Sequence, residues 1–445
     1  MNVIYMHTHD SGRYLSPYGY AVPTPNVMEF ARSATLFRQA YCAGPTCSPS
    51  RAALLTGMSP HACGMQGLAH RGWRLNDYSR HMANVLKAAG FHTALCGIQH
   101  VAPDAGMIGY DEIIGHKKVD MSDVETAMSK YDRGNADAAC AYIAAQKEPF
   151  FLSFGMFATH RQYEKAGDID PDYLAPPAPL YDCPAVRRDM AEYLATAKLA
   201  DECYGKVLAA IDRAGIRDET MVILTTDHGI AFPHMKCNLY DAGSGVALMI
   251  RLPKGYRQIK ATDALVSHLD VFPTVCDVAG IERPGWLEGT SLLPLMAGET
   301  EKVRDEVFLE VTYHAAYEPM RAVRTDRYKL IRRYDYHNGI VPANIDDGYS
   351  KTFLMDAGYG AATKPRDALY DLWLDPAERE NLAGDPRCLS VYNDLSARLE
   401  RWMLRTDDPL ITHGARVPKP IDAKANPLGC VTPTSTLFEP QELDL

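Results

Sequence analysis

The sequence predicts an α/β fold: a large, mixed but mostly parallel sheet flanked by helices, followed by a smaller antiparallel sheet with a helix. Three observations lead there. Short, continuous apolar runs alternate with helix-length segments, as strands buried on both faces require. After about Val311 the texture changes to a period of two. Residues able to do chemistry follow several of the apolar runs directly, and in open α/β sheets ligands bind outside the carboxyl ends of the strands.

In chain order the runs are Asn2–Met6 (NVIYM), Thr93–Cys96 (TALC), Phe150–Phe154 (FFLSF), Met221–Leu224 (MVIL) and Val246–Ile250 (VALMI). Helices are predicted near Met82–Ala89, Glu125–Gln146, Asp189–Ala214 and Leu269–Ala279. The stretch "MRAVRTDRYKLIRRYDY" alternates in the manner of antiparallel strands, and a helix near Ser390–Met403 follows it. From Thr412 the chain is rich in proline and lacks periodicity, which predicts an extended arm packed on the body or on a partner subunit, so a homo-oligomer is allowed. The resulting division is a main domain over 1–315, a smaller one over 316–411 and the arm over 412–445.

The 445 residues are 47% hydrophobic and 23% charged, the composition of an ordinary soluble globular protein. A net charge of −10 argues against a nucleic-acid partner. No apolar run approaches membrane-spanning length, and no basic head with an apolar leader opens the chain. The 11 cysteines are dispersed without a CxxC pair, which suits reduced thiols. The expected location is cytoplasmic; a periplasmic or secreted one would need a leader since removed.

The strand ends define a candidate site. His7-Thr8-His9-Asp10 follows the first run, Gly97-Ile98-Gln99-His100 the second, Gly155 to His160 the third, and Thr225-Thr226-Asp227-His228-Gly229 the fourth. Separately, "TCSPSRAALLTG" reads as a short helix with Ser48 as N-cap, Pro49 at the first helical position and Gly57 as stop. Cys47 then stands just before a helix start, where the dipole and free N–H groups favour an anion, with Arg51 one turn inside.

Taken singly, each feature has a plainer reading: a cap, a loop histidine, a buried apolar thiol. Together they point to metal-assisted attack on an anionic substrate. Asp10, Asp227 and His228 are candidate metal ligands, with His9 able to join them. His100 and His160 are placed as general acid and base, and Arg51 and Lys236 to hold anionic oxygens. Specificity is expected from the loops around Arg71–Arg74, Arg161–Glu164, His234–Tyr240 and Tyr313–Tyr317, with Arg71, Trp73, Arg161 and His234 as substrate contacts.

These residues resemble the sulfatase family of the alkaline phosphatase superfamily. "CSPSRAALLTG" is similar to the family's modification motif, a Cys followed by x-Pro-x-Arg and a trailing Thr-Gly. "PTPNVMEFARSATLFRQAYC", "TTDHG", "SHLDVFPTVCDVAGI", "VRTDRYKLI" and "LYDLWLDPAERENLAGDP" resemble further family segments in the right order along most of the chain. "GMQGL", "HVAP", "THR" and "DHGIAFPHMKCNLYDAG" look most like the heparan N-sulfatase (sulfamidase) branch.

The resemblance implies an alkaline-phosphatase-like fold and oxidation of Cys47 to formylglycine by a formylglycine-generating or anaerobic sulfatase-maturing enzyme. It implies a sulfated substrate, most simply a saccharide carrying a sulfate ester or sulfamate, and a divalent metal at His9, Asp10, residue 47, Asp227 and His228, usually Ca²⁺. By the same resemblance His160 protonates the leaving group, His100 takes the proton from the formylglycine hydrate, Lys236 grips sulfate and Arg51 steadies the hydrate. The chain departs from the family pattern twice. His9-Asp10 stands where two aspartates are usual, and Ile98 where a sulfate-binding lysine is usual. One change removes a negative charge and the other a positive one, and the imidazole makes Mn²⁺ or Zn²⁺ alternatives to Ca²⁺.

Rival readings are a phosphonate monoester or phosphodiester hydrolase of the same superfamily and a catalytically inactive sulfatase-like binding protein. A metal-dependent amidohydrolase would use His7-Thr8-His9 but has no role for CSPSR. A cysteine phosphatase needs five residues between Cys and Arg, and only three intervene here.

Overall fold

The structure is a computed structural model that describes residues 1–116, 127–414 and 416–434. Its main sheet has eight strands in the order β4-β3-β5-β1-β6-β7-β2-β8. These are β1 (Asn2–Thr8), β2 (Thr35–Tyr41), β3 (His92–Gly97), β4 (Glu112–Ile114), β5 (Phe150–Gly155), β6 (Thr220–Thr226), β7 (Leu248–Arg251) and β8 (Ala261–Ser267). β1 runs parallel to both its neighbours, pairing Val3 with Phe151 of β5 and with Met221 of β6. β7 runs antiparallel to β6 and to β2, which makes the sheet mixed.

The apolar runs form strands because they are buried on both faces, and alternate residues enter two different cores. Val3, Tyr5, Met221 and Ile223 pack with helices α1 (Cys47–Thr56) and α5 (Val271–Ala279). Ile4, Met6, Val222 and Leu224 pack with α3 (Ala127–Ala145) and α4 (Pro184–Arg213) on the other side. Helix α2 (Met82–Ala88) precedes β3, its buried Met82, Ala83 and Leu86 facing the first core. Burying both faces is worth about 25 cal/mol per Å² of apolar surface, which is why these strands need no polar side.

All five predicted strands are present. β2, β4 and β8 were not predicted. β2 carries exposed Arg38 and half-buried Gln39, and β8 alternates between exposed and half-buried residues over its first four positions; both lack a continuous apolar run. The predicted helix Glu125–Gln146 appears from Ala127, its first two positions lying outside the described residues.

The second sheet is antiparallel throughout, in the order β12-β11-β10-β9. Its strands are β9 (Glu306–Tyr313), β10 (Tyr317–Thr325), β11 (Tyr328–Arg333) and β12 (Asp367–Asp371). One face carries Val323, Leu330 and Leu369 against Leu395, Leu399, Trp402 and Met403 of α6 (Leu389–Arg405). The opposite face sets Leu309, Val311, Met320 and Ala322 against Tyr41, Leu239 and Leu265 of the main body. On the α6 face a buried polar knot ties the sheet to His61 of the main body. Arg321 forks onto Asp408 and reaches Glu310 at 3.2 Å, and Glu310 accepts from His61 Nδ1 at 2.7 Å. Past residue 415 the described chain runs back along the body, where Asn426 bridges to Ala316 and accepts from Arg71.

Candidate functional site

The central strands end on one edge, and the site is built there. β1 continues into His9 and Asp10, β6 into Asp227 and His228, β5 through Gly155 to His160, and β3 through Gly97 to His100. Gly155 is required by close approach: a Cβ there would lie 2.0 Å from the Ile98 carbonyl oxygen and 2.5 Å from the His7 ring. Asp10, His100, His234 and Cys237 all adopt the left-handed conformation at φ between 44° and 66°. That backbone is costly for residues with a Cβ and is held by the structure around it.

Helix α1 enters from the other side, and here the structure corrects the sequence reading. Cys47 is the first helical residue, not the one in front of it, and Thr46 is the N-cap with extended φ/ψ of −136° and 146°. The Ser50 N–H donates to Thr46 O, so the helix opens two residues earlier than a Ser48 cap allows. Ser48 instead accepts from the Ala69 N–H at 3.0 Å. Gly57 ends the helix as expected, at φ 67°. All ten residues of α1 are buried.

Around Cys47 the side chains converge. His228 Nε2 lies 3.3 Å from the Cys47 sulfur and 3.3 Å from Asp10 Oδ1. Asp227 Oδ1 accepts from the backbone N–H groups of Asp10 (2.8 Å) and His228 (2.9 Å). His9 Nδ1 is 3.2 Å from Asp227 Oδ2, yet makes no aligned hydrogen bond and is buried. His9, Asp10, Cys47 and Asp227 can each bring a ligand atom within 4.8 Å of the others. Two buried carboxylates with imidazoles beside them fit a divalent cation, and the unpartnered His9 nitrogen is the atom a cation would satisfy.

Two cations flank this centre. Arg51 Nη2 donates to Asp227 Oδ2 and to the Thr8 carbonyl, each at 3.0 Å, while its other nitrogen meets His7 Nδ1. Arg51 therefore sits beneath the site and fixes the ends of β1 and β6. Lys236 Nζ donates to Asp10 Oδ2 at 2.9 Å and pairs with Asp346 at 2.8 Å.

Burial and charge set the protonation states. Burial pushes the Cys47 thiol well up, against the pull of Lys236; an unmodified thiol here is protonated and a poor nucleophile. Burial and the nearby Arg51 drive His9 down to about 3, keeping its lone pair free. Burial would raise Asp227, but His228, Arg51 and His9 together hold it well below the carboxylate range. Burial would lower Lys236, but Asp10 and Asp346 hold its ammonium well above the usual value. Burial, then His70 and His9, push His100 well down.

The two remaining histidines of the expected set stand at the rim. His160 Nδ1 donates to the Arg161 carbonyl, which leaves Nε2 free, and its ring meets His9 edge-on at 5.3 Å. His100 is hydrogen-bonded to His70, whose Nδ1 lies 2.8 Å from His100 Nε2.

The expected substrate contacts fare differently. Trp73 is core, 1% exposed and packed on Tyr313, so its expected substrate role is corrected: a large indole beside Gly67 fills space there. Arg161 is bidentate to Asp189 and donates to the Ala231 carbonyl. Arg71 is held by Ala315, Asn426 and Pro433. His234 lies against Tyr359, 4.9 Å between ring centres, rather than in the buried cluster.

Sequence reasoning missed Asp346 and His70 and did not single out His314. Asp346 lies in the connection between β11 and β12 with no motif around it, and only the fold brings it to Lys236. His314, buried with an unpartnered Nδ1, stands at the end of β9 in a segment expected to matter for specificity.

Comparison with known proteins points to one family. A family model described as "Sulfatase" matches residues 2–281, and one described as "N-sulphoglucosamine sulphohydrolase, C-terminal" matches 231–341. The human N-sulphoglucosamine sulphohydrolase is 29% identical over 90% of this chain and 89% of its own. An ulvan-active sulfatase of Formosa agariphila is 27% identical over 94% of this chain and 82% of its own. A structure solved with its substrate D-glucosamine-2-N,6-O-disulfate superposes with a TM-score of 0.72 at 20% identity, covering 92% of this chain and 98% of that one. The phosphonate monoester hydrolase of Agrobacterium radiobacter shares the fold too, with a TM-score of 0.71 at 19% identity over 91% of this chain and 96% of that one.

Proposed function

The chain belongs to the sulfatase family, and from that premise we propose that it hydrolyses sulfated saccharides, the sulfamate of a glucosamine first among them, at the site around Cys47. The observation that carries the reading is the convergence of His9, Asp10, Asp227 and His228 on the first residue of α1, with Arg51 and Lys236 on either side. The sulfamate preference rests on the human relative and on the second family match.

Cys47 in its family motif is the residue a maturing enzyme converts to formylglycine, whose hydrate supplies one hydroxyl to attack sulfur and another to expel sulfate afterwards. A divalent cation held by His9, Asp10, Asp227 and His228 would supply the charge that makes such a hydroxyl acidic. With an imidazole at position 9 the donor set is softer than one built from carboxylates alone, and we place Mn²⁺ or Zn²⁺ ahead of Ca²⁺.

The chain's own residues do the rest. Asp227 holds the backbone of Asp10 and His228 and so fixes two candidate ligands at once. Lys236, kept charged by Asp10 and Asp346, presents an ammonium to a bound sulfate oxygen. His160, its Nδ1 proton tied to the Arg161 carbonyl, turns Nε2 to the leaving group, and as the imidazolium it donates the second proton, on Nε2, to the leaving amine or hydroxyl. His100 takes the proton released by the attacking group.

Ile98 gives specific support to one second reading. It stands where the sulfatase family usually has a sulfate-binding lysine, and a phosphonate or phosphodiester hydrolase that shares this fold is the alternative that tolerates its loss. We place the protein in a reducing compartment, because its eleven cysteines are dispersed, nine of them buried, in a way that suits thiols rather than a disulfide framework. The deciding experiment compares matured protein on glucosamine N-sulfate, an aryl sulfate and an aryl phosphonate. Faster turnover of the two sulfur substrates supports the reading; a faster phosphonate reaction overturns it in favour of the second.

A further inference from the structure

Resting on the reading of His100 as the proton acceptor beside residue 47, we infer that His70 fixes the tautomer of His100, holding its proton on Nε2 and leaving Nδ1 as the basic nitrogen. The two rings are stacked, 5.1 Å between centres and 14° between planes, with His70 Nδ1 2.8 Å from His100 Nε2. A neutral imidazole has one donor and one acceptor nitrogen, so one ring of this pair must donate to the other.

The surroundings decide which. His100 Nδ1 is buried and has no hydrogen-bond partner. A proton on that nitrogen would be a buried donor without an acceptor, and orphaned donors are rarer than under-used acceptors. His70 is exposed, so a proton on its own Nε2 is hydrated. The arrangement with every N–H satisfied has His100 Nε2–H donating to His70 Nδ1. His100 then brings a ring nitrogen within 4.8 Å of the Cys47 sulfur, and Nδ1 is the nitrogen left unengaged.

His70 is placed to do this steadily. The turn Ala69–Arg71 is tied to α1, because the Ala69 N–H donates to Ser48 next to Cys47. On its other side Arg71 is bound to the Ala315 carbonyl and to Asn426. His70 touches no reacting atom, so it is a positioning residue.

The test uses the full-length matured protein. Two-bond ¹⁵N–¹H correlation spectra of the histidine rings are expected to show His100 protonated at Nε2. His70→Phe keeps a stacking ring but removes the acceptor. It is expected to mix the His100 tautomers and to lower kcat on an aryl sulfate about 10–100-fold with KM little changed. His70→Gln restores an acceptor and is expected to recover most of the rate. An Nδ1–H tautomer in the unaltered protein, or a His70→Phe protein with the unaltered spectrum and kcat, overturns the inference. If the unaltered protein hydrolyses no sulfate, the functional reading fails while the ring spectra still decide the His70–His100 pairing.

Discussion

Lys236 and Asp346 are paired at 2.8 Å across the junction of the main body and the connection between β11 and β12 of the second sheet. The same ammonium donates to Asp10 at 2.9 Å. Asp346 thus keeps Lys236 charged and shared, not collapsed onto a candidate metal ligand. Lys236→Met is expected to lower kcat/KM about 10²–10³-fold, and Asp346→Asn about 10–100-fold. If the two act as a unit, the double variant is no worse than Lys236→Met alone. Steady-state kinetics on an aryl sulfate checks this; additive losses would show that Asp346 acts elsewhere.

Activity should depend on what is done to Cys47. The buried thiol is held protonated, so protein made without a maturing enzyme is expected to be inactive. Co-expression with such an enzyme should give a Cys47 peptide with the mass of formylglycine and activity in proportion. Cys47→Ala should lower the rate about 10⁴-fold or more. A fully active protein whose peptide carries a free thiol would contradict the formylglycine chemistry.

Position 9 should set the metal. Thermal unfolding with added Mn²⁺, Zn²⁺ or Ca²⁺ reads affinity directly, because an ion at 100 times its Kd stabilises by about 2.7 kcal/mol. The unaltered protein is expected to gain more from Mn²⁺ or Zn²⁺ than from Ca²⁺, and His9→Asp to reverse the order. Equal gains in both proteins would mean that His9 does not ligate.

Asp132 should make stability fall with rising pH. Its carboxylate accepts from the Phe157 and Ala158 N–H groups at 2.7 and 2.8 Å, so it holds the loop that carries His160. Burial outweighs those bonds and raises its pKa to about 7. The folded protein therefore binds the proton more tightly than the unfolded chain. The stability this gives is fully present below the unfolded value near 4 and is lost as pH rises through about 7. Asp132→Asn should remove that dependence, a difference on the order of a few kcal/mol across the window. Parallel unfolding curves for the two proteins from pH 4 to 8 would rule it out.

The polar knot at the sheet junction should be costly to break. Arg321→Met leaves Asp408 and Glu310 without their shared cation. Removing one partner of a buried ion pair costs about 3–5 kcal/mol. The expected result is a large fall in thermal midpoint with little change in kcat for the protein that remains folded. An unchanged midpoint would mean that His61 alone satisfies the two acids.

The sequence made the centre legible where chemistry is local in the chain. His9 and Asp10 follow β1, Asp227 and His228 follow β6, and CSPSR marks the helix start, so strand ends and one motif found them all. The misses have a common cause. Asp346, His70 and the contact between Arg71 and Asn426 depend on how distant loops fold onto one another, and no periodicity records that. Trp73 was misread because an aromatic in a loop-like segment looks the same whether it lines a cleft or fills a core. β8 was missed because half of its early residues face outward, and the start of α1 was set two residues late because Ser48 has the chemistry of a cap but uses it on Ala69.

The position of β1 between β5 and β6 also has a consequence during translation. Neither neighbour exists when β1 is made: its partners are Phe151 and Met221 and the residues around them. At ~5–20 residues per second, roughly ten to forty seconds separate the synthesis of Cys47 from that of Thr226. Through that interval α1 has no completed sheet to lie on, and Cys47 is open to an enzyme that reads its segment. In the finished fold all ten residues of α1 are closed off, and α5, which packs beside α1 in the same core, is made later still. On the proposed conversion of Cys47, maturation is therefore in a race with elongation. Slow codons between residue 47 and the end of α5 lengthen the time available, and slow codons well past α5 add nothing.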